Sequence, residues 1–307
     1  MTEQWLEAKV SAGIYPPVPP DFGAKFTATT RYDTYEYIDP LRAVSCRKVV
    51  LITGGNKGIG KAIALSYARR GASHIAITSR SEATDAITEV RDAALKAKRD
   101  LPDVLNLTMD VTDKSSVAGV AAELARRWGR LDILINNAGY LSKYEKILDG
   151  DVDEWWQSFE TNLRGGYLVS KAFLPLMLKG GDKTIISISS TGAMHFHAGG
   201  SGYQISKFAL LRLMEFLMAE YADQGLLTYS VHPGGVATDL ARRLPDETQA
   251  WLKCSPSLGG DTIAFLTLAR REWLAGRYVT AMWDMEEFLE KKGEIIEKDL
   301  LKMRMSF

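Results

Sequence analysis

The stretch Val49-Val50-Leu51-Ile52-Thr53-Gly54-Gly55-Asn56-Lys57-Gly58-Ile59-Gly60 decides the fold of this 307-residue chain. Its first five residues are a continuous apolar run, which is typical of a parallel strand covered on both faces. Glycines follow, and residues 61–70 then have helical spacing and end at Gly71. Glycines between a strand and a helix let the backbone turn tightly, and the exposed amides that begin the helix favour a pyrophosphate. The stretch therefore predicts a phosphate-binding turn, with a plain glycine-rich connector as the alternative.

Short apolar runs alternate with helix-patterned segments along the rest of the chain. Runs of strand length lie at residues 74–78, 104–109, 133–135, 184–188, 227–231 and 277–280. Strands that alternate with helices indicate an α/β protein with a parallel sheet. We therefore expect a single Rossmann-type doubly wound parallel sheet, flanked by helices on both faces.

Composition excludes several classes of protein. The formal net charge is zero, so neither nucleic acid nor an anionic membrane surface is indicated as a partner. Cys46 and Cys254 have no metal-ligand spacing and are expected to be free thiols in a reducing compartment. The N-terminus lacks the basic start and apolar core of a signal peptide, and no apolar run is long enough to span a bilayer. We expect a cytoplasmic protein.

Residues suited to ligand binding follow several of the predicted strands. Asp110, Asn136-Asn137-Ala138-Gly139, Ser190 and Pro233-Gly234 all lie where strands are expected to end. In an open α/β sheet, the carboxyl ends of the strands form the edge at which ligands bind. The sequence therefore predicts one site, to which distant parts of the chain contribute.

Tyr203 and Lys207 are four residues apart at the start of an apolar helical run. Residues at this spacing lie on the same helix face, so the phenol and the ammonium can meet. A nearby positive charge favours the phenolate and lowers the tyrosine pKa from ~10 towards the range useful for acid/base catalysis. The alternative is an aromatic ring packed under a solvated lysine stem.

The end of the second strand predicts the cofactor. An enzyme that uses NAD normally presents a carboxylate here to the 2′-hydroxyl of the ribose. This chain has Thr78, Ser79 and Arg80 instead, with Lys57 in the glycine loop. Two cations without a carboxylate suit a 2′-phosphate, so we expect NADP(H); solvated surface cations are the alternative.

In combination, these motifs resemble the short-chain dehydrogenase/reductase superfamily from about Lys48 to Thr238. The glycine loop is similar to that of carbonyl reductases, and the N-terminal extension resembles fungal members, many of which serve secondary metabolism. The resemblance implies a catalytic set of Asn162, Ser190, Tyr203 and Lys207. It implies cofactor contacts from Gly54, Asn56, Lys57, Gly58, Ile59, Gly60, Ser79, Arg80, Asp110, Val111, Asn137, Ala138, Gly139, Tyr203, Lys207, Pro233, Gly234, Val236 and Thr238.

The composition of the N-terminal residues indicates the domain organisation, and the long N-terminal arm departs from the pattern of the family. Residues 1–45 are expected to be an extended arm, because the prolines at positions 16–20 exclude a helix interior or a central strand. A disordered tail is the alternative. Residues 46–307 are expected to be the Rossmann-fold catalytic domain, with a substrate-loop region at about 239–257.

The function implied is NADP(H)-dependent hydride transfer between the nicotinamide and a ketone or secondary alcohol, on a medium-sized, mainly apolar metabolite. Two alternatives use the same fold: a redox-inactive NADP(H)-binding sensor or scaffold, and an enzyme of cyclisation or dehydration. A homodimer or homotetramer is expected. No metal is expected. His195 and His197 are interpreted as loop residues: either one of them faces the substrate, or both are ordinary loop residues.

Overall fold

Seven parallel strands form one sheet in the computed structural model, which describes residues 23–42, 45–81 and 84–305. The sheet order is β3-β2-β1-β4-β5-β6-β7, and every neighbouring pair is parallel. β2 and β3 lie on one side of β1, and β5, β6 and β7 lie on the far side of β4. The strand order therefore reverses between β1 and β4, which makes this junction a topological switch point. The predicted doubly wound sheet is confirmed. The strands are β1 (Val49–Thr53), β2 (His74–Ser79), β3 (Asp103–Thr108), β4 (Ile133–Asn136), β5 (Thr184–Ile188), β6 (Leu227–His232) and β7 (Tyr278–Thr280).

Helices cover both faces of the sheet. One apolar core includes Ile63, Val90 and Ile263, and the other includes Leu124 and Phe173. The strands are buried on both faces, which explains their continuous apolar sequences. The helices are α1 (Gly58–Arg69), α2 (Thr84–Lys96), α3 (Lys114–Trp128), α4 (Val152–Ser158), α5 (Gly165–Leu178), α6 (Ser201–Tyr221), α7 (Asp246–Gln249), α8 (Pro256–Leu266), α9 (Met285–Glu290) and α10 (Lys292–Glu297).

The sequence predicts one long helix from about residue 153 to 178, but the structure interrupts it. A π-helical turn, Phe159–Arg164, separates α4 from α5. Asn162 lies in this turn and is buried. Turns of this type are frequently found at functional sites.

Residues 23–42 pack against the body of the molecule. Trp283 donates from Nε1 to the Gly23 carbonyl at 2.7 Å, and Arg31 forms an ion pair of 2.6 Å with Asp284. Ile38 is fully buried in a core cluster. The segment includes the short helical turns Ala24–Phe26, Glu36–Ile38 and Pro40–Arg42, so this part is not uniformly extended.

The remainder of the predicted arm is not covered by these observations. The proline run at residues 16–20 lies outside the described residues. The division of the chain at residue 45 therefore stays a prediction. In the described part of the chain, no helix has the length and apolar character needed to cross a bilayer.

Candidate active site

One large cleft lies at the carboxyl edge of the sheet. Its volume is about 2110 Å³, and it extends from the glycine loop after β1 to the segment after β6. Every predicted site residue lines it except Asn162, which is buried behind the wall. The parallel strands end together at this edge, which is why residues scattered over the sequence meet here.

The glycine loop is held in the shape that a dinucleotide requires. Gly54 and Gly58 have backbone φ angles of +62° and +53°, which residues other than glycine rarely adopt. A Cβ on Gly60 would lie 2.2 Å from the Gly54 oxygen. Asn137 fixes the loop by donating from its amide to the carbonyls of Thr53 and Gly54, at 2.8 and 3.0 Å. The loop leads directly into α1, whose first amides can bind phosphate.

The structure corrects which residue stands at the ribose end of the cleft. Thr78 is buried within β2 and does not line the cleft, whereas Ser79 and Arg80 do. Successive residues in a strand point to opposite faces of the sheet, so Ser79, and not Thr78, takes the position that was expected for Thr78. Arg80 is exposed there, and Lys57 pairs with Asp239 at 2.9 Å on the other side of the glycine loop.

The catalytic residues predicted from the sequence lie side by side. Tyr203 and Lys207 are one turn apart on α6, and the Lys207 ammonium is 5.7 Å from the centre of the Tyr203 ring. Lys207 is buried and donates to the Ile188 carbonyl at 2.8 Å. The Ser190 hydroxyl hydrogen-bonds with Tyr203 and accepts from the Gly192 amide at 3.0 Å. A substrate oxygen near Tyr203 would therefore also be near Ser190.

The pKa of Tyr203 differs from the expectation based on sequence. Burial raises the pKa of Tyr203, and the hydrogen bond from Ser190 lowers it only in part. Burial also lowers the pKa of Lys207 to about 8. The expected lowering of the Tyr203 pKa by Lys207 is not seen, because the ammonium is directed to the Ile188 carbonyl and is itself removed from water.

Asn162 joins two elements of the site. Its Oδ1 accepts from the Tyr140 amide at 2.8 Å, and its Nδ2 donates to the Tyr140 carbonyl at 2.8 Å and to the Ser206 hydroxyl at 2.9 Å. Ser206 in turn donates to the Tyr203 carbonyl at 2.7 Å. The π-helical turn thus connects the segment after β4 with the helix that bears Tyr203.

Residues 48–249 match the family model described as short chain dehydrogenase. The chain belongs to the short-chain dehydrogenase family. It is 45% identical over 287 residues to short chain dehydrogenase citE of Monascus ruber, with 94% of this chain and 98% of that protein covered. It is 30% identical over 237 residues to the 3-oxoacyl-[acyl-carrier-protein] reductase FabG of Escherichia coli, with 75% and 93% covered. A crystal structure of a short-chain type dehydrogenase/reductase from Mycobacterium marinum matches with a TM-score of 0.68 at 28% identity, covering 80% of this chain and 97% of that one.

The site of this short-chain dehydrogenase depends on a buried residue, Gln204, that the sequence did not single out. Gln204 holds the loop before α6: its Oε1 accepts from the His197 amide at 3.0 Å, and its Nε2 lies 3.1 Å from Nδ1 of His195. Burial lowers the pKa of His195 to about 4, so this ring is neutral near pH 7. Both histidines line the cleft. Among the described residues, no group of three or more acidic, histidine or cysteine side chains is placed to hold a metal.

A second missed group lies at the rim. Glu154 accepts hydrogen bonds from Tyr140 and Arg243, at 2.6 and 2.9 Å. Their separation in sequence hides this grouping: Glu154 reads as an acidic residue in the first turn of a helix, and Arg243 as part of a polar loop. The cleft wall beside them includes Leu240, Leu244, Trp251 and Leu252 from the region 239–257, together with Tyr32 from the N-terminal segment.

We predict that Lys207→Met changes the pH dependence of stability in the protein without cofactor. The pKa of Lys207 is about 8 in the folded protein, against an ordinary value of 10.5, so its burial carries a folding penalty that is complete below about pH 8. The penalty disappears as pH rises from 8 towards 10.5. Relative to Lys207→Met, the wild-type free energy of unfolding should therefore rise by about 3 kcal/mol between these limits.

Urea denaturation at a series of pH values measures this difference. Lys298→Met is the control, because it removes an exposed lysine that is paired with Glu294 at 3.0 Å. Parallel stability curves for the wild type and Lys207→Met would contradict the prediction.

Proposed function

We propose that the protein is an NADP(H)-dependent oxidoreductase that transfers a hydride between the nicotinamide and a ketone or secondary alcohol. The observation that carries this proposal is the contact between Tyr203 and Ser190, with Lys207 buried beneath them, at the cleft that the glycine loop enters. This arrangement offers one position at which a carbonyl oxygen meets both a proton donor and a second hydrogen bond. The relative FabG is named as a reductase of 3-oxoacyl groups, which is consistent with carbonyl chemistry.

Ser190 and Tyr203 have separate roles in the reduction. Ser190 Oγ hydrogen-bonds the carbonyl oxygen and fixes it beside Tyr203. NADP(H), when bound, supplies the hydride that forms the new bond to the carbonyl carbon. The Tyr203 hydroxyl donates its proton to the oxygen, which completes the alcohol. Oxidation of an alcohol uses the same groups in reverse.

The cofactor contacts would come from the two ends of the cleft. The glycine loop would hold the pyrophosphate, while Lys207 would hold the ribose of the nicotinamide. Val236 and Thr238 would orient its carboxamide; a Cβ on Gly58 would lie 3.2 Å from Thr238 Cγ2, so this segment lies close over the loop. Asp110 lines the adenosine side of the cleft, where its carboxylate accepts from Thr112 N and Oγ1 at 2.9 and 2.8 Å.

Two alternatives share this fold: a redox-inactive NADP(H)-binding sensor or scaffold, and an enzyme of cyclisation or dehydration. The complete set of Asn162, Ser190, Tyr203 and Lys207 favours an enzyme over the sensor, because a protein without catalytic activity needs no positioned proton donor. Oxidation of NADPH by the pure protein with a panel of ketones distinguishes hydride transfer from both alternatives. The leucine-rich wall supplied by region 239–257 favours a mainly apolar substrate of medium size.

The first prediction concerns the phenol. Tyr203→Phe keeps the ring and removes the proton donor, so kcat should fall by about 10²–10⁴-fold while NADPH affinity is unchanged. Steady-state kinetics with the best ketone of the panel and fluorescence titration of NADPH measure the two quantities. Turnover by Tyr203→Phe near the wild-type rate would refute the proposed mechanism.

The second prediction concerns the cofactor. Arg80 can make a forked contact with a 2′-phosphate, and Lys57 would add a second charged contact from the glycine loop. The ion pair of Lys57 with Asp239 is largely exposed and therefore weak, so a phosphate can compete for the lysine. Two charged hydrogen bonds of roughly 1.5–3 kcal/mol each imply a preference of about a hundredfold or more for NADPH over NADH.

The variant with Arg80→Ala and Lys57→Ala should lose most of this preference through a lower kcat/KM with NADPH, while kcat/KM with NADH is retained. Lys61→Ala is the matched control. Lys61 lies near the start of α1, the helix that follows the glycine loop; it pairs with Glu89 at 2.9 Å and does not line the cleft. Higher wild-type efficiency with NADH than with NADPH would overturn the prediction.

The third prediction is self-association through α5 and α6. These helices expose large apolar side chains, including Tyr167, Phe208 and Phe216, the last of which is 57% exposed. Contiguous exposed apolar surface on a globular protein marks an interface. Light scattering at micromolar concentration should show a dimer or tetramer that Phe216→Glu weakens, whereas Leu95→Glu, at an exposed position on α2, should leave the mass unchanged. A monomeric wild type would count against the proposal.

A further inference from the structure

The rim of the cleft contains a carboxylate that accepts three hydrogen bonds from two separate segments, the one after β4 and the one after β6. Glu154 lies in the first turn of α4, where its own amide donates to the capping Asp151 at 2.8 Å. Its side chain accepts from the Tyr140 hydroxyl at 2.6 Å, from the Lys143 amide at 3.1 Å and from Arg243 Nη2 at 2.9 Å. A surface ion pair needs only one of these contacts, so Glu154 has a larger connecting role.

On the inner side, Glu154 leads to the catalytic set through Tyr140. The Tyr140 backbone is held by Asn162, which accepts from its amide and donates to its carbonyl, each at 2.8 Å. The Tyr140 side chain is held by Glu154. Tyr140 is therefore fixed at both ends, and a displacement of Glu154 would be felt by the segment that Asn162 anchors.

On the outer side, Glu154 leads to the region 239–257. The Arg243 guanidinium stacks on the Tyr140 ring, with 4.7 Å from Cζ to the ring centre, while it also donates to Glu154. Leu240, Ala241 and Leu244 lie next to Arg243 in sequence and line the cleft. Fixing Arg243 therefore fixes the part of the wall that a substrate would contact.

The two partners are shielded from water only in part, with side-chain exposures of 24% for Glu154 and 34% for Arg243. Charge-assisted bonds are strong when dry and weaken when solvent reaches them. The link should therefore guide the position of the wall without being needed for folding. That combination makes its effect measurable in a variant that still folds.

We propose that Glu154 is a positioning residue, which holds region 239–257 in register with the catalytic asparagine through Tyr140 and Arg243. Its kinetic consequence rests on the proposed carbonyl reduction: a substrate bound against a fixed wall meets Tyr203 and Ser190 in a reactive orientation. Orientation of this kind is a large contributor to enzymatic rates, and small displacements are costly. The assignment adds to the site a residue that does not itself touch the reacting atoms.

The kinetic test uses Glu154→Ala, Arg243→Met and the double variant. Each single change should raise KM for the ketone by about tenfold, with the dissociation constant of NADPH unchanged. The double variant should be no worse than either single variant, because both changes break the same link. Arg243→Lys, which keeps a charged donor, should recover part of the loss.

Glu123→Ala is the matched control. Glu123 pairs with Arg126 and Arg127 on α3, at 2.8 and 2.5 Å, and does not line the cleft. Removing it should leave KM unchanged. Fully additive effects of Glu154→Ala and Arg243→Met, or KM values equal to that of the wild type, would overturn the proposal.

Hydrogen exchange provides a readout that does not depend on activity. Amides in region 239–257 should exchange faster in Glu154→Ala than in the wild type, while the amides of the central strands should be unaffected. Faster exchange in a protein that reduces no ketone would support the link and refute the proposed function. Unchanged exchange in an active protein would refute the link and leave the proposed function intact.

Discussion

The clamp between Thr53 and Asn137 is the interaction on which the site depends. Thr53 Oγ1 accepts from the amides of Asn137 and Ala138 at 3.0 and 2.9 Å, and the Asn137 side chain donates back to the carbonyls of Thr53 and Gly54. These contacts join the ends of β1 and β4, the two strands at the switch point of the sheet. Without them, the turn that begins with Gly54 would have its carbonyls directed at no donor. The clamp therefore gives the phosphate-binding turn and the catalytic side of the cleft a common origin.

A series of polar contacts extends from this clamp to the helix that bears Tyr203. The segment that begins at Asn137 reaches Tyr140, whose backbone is held by Asn162, and Asn162 continues to Ser206 on the catalytic helix. Asn162 itself is buried, where an unmade hydrogen bond is costly. The path runs through the π-helical turn Phe159–Arg164, in which Asn162 lies.

Much of this arrangement was accessible from the sequence, because its signals are local. Strand-length apolar runs, the glycine loop and the spacing of Tyr203 and Lys207 each reflect a rule that acts over a few residues. The side chain of Thr78 was misplaced because its neighbours in sequence do not reveal the face of the strand to which it points. The bond between Glu154 and Arg243 joins residues 89 apart, and such a pair leaves no periodic pattern. The pKa values of Tyr203 and Lys207 depend on burial, which only the folded structure reveals.

The packing of residues 23–42 has a consequence for how boundaries are drawn in this family. The family match begins at residue 48, after the whole of this segment. Yet the carbonyl of Tyr32 accepts from Ser255 at the end of the substrate region, and Arg31 neutralises Asp284, which is buried. A chain that began at residue 48 would keep every recognisable motif, but it would leave the buried Asp284 without its ion pair and the cleft without Tyr32. In this chain, contacts of the folded protein extend beyond the N-terminal limit of the recognisable sequence.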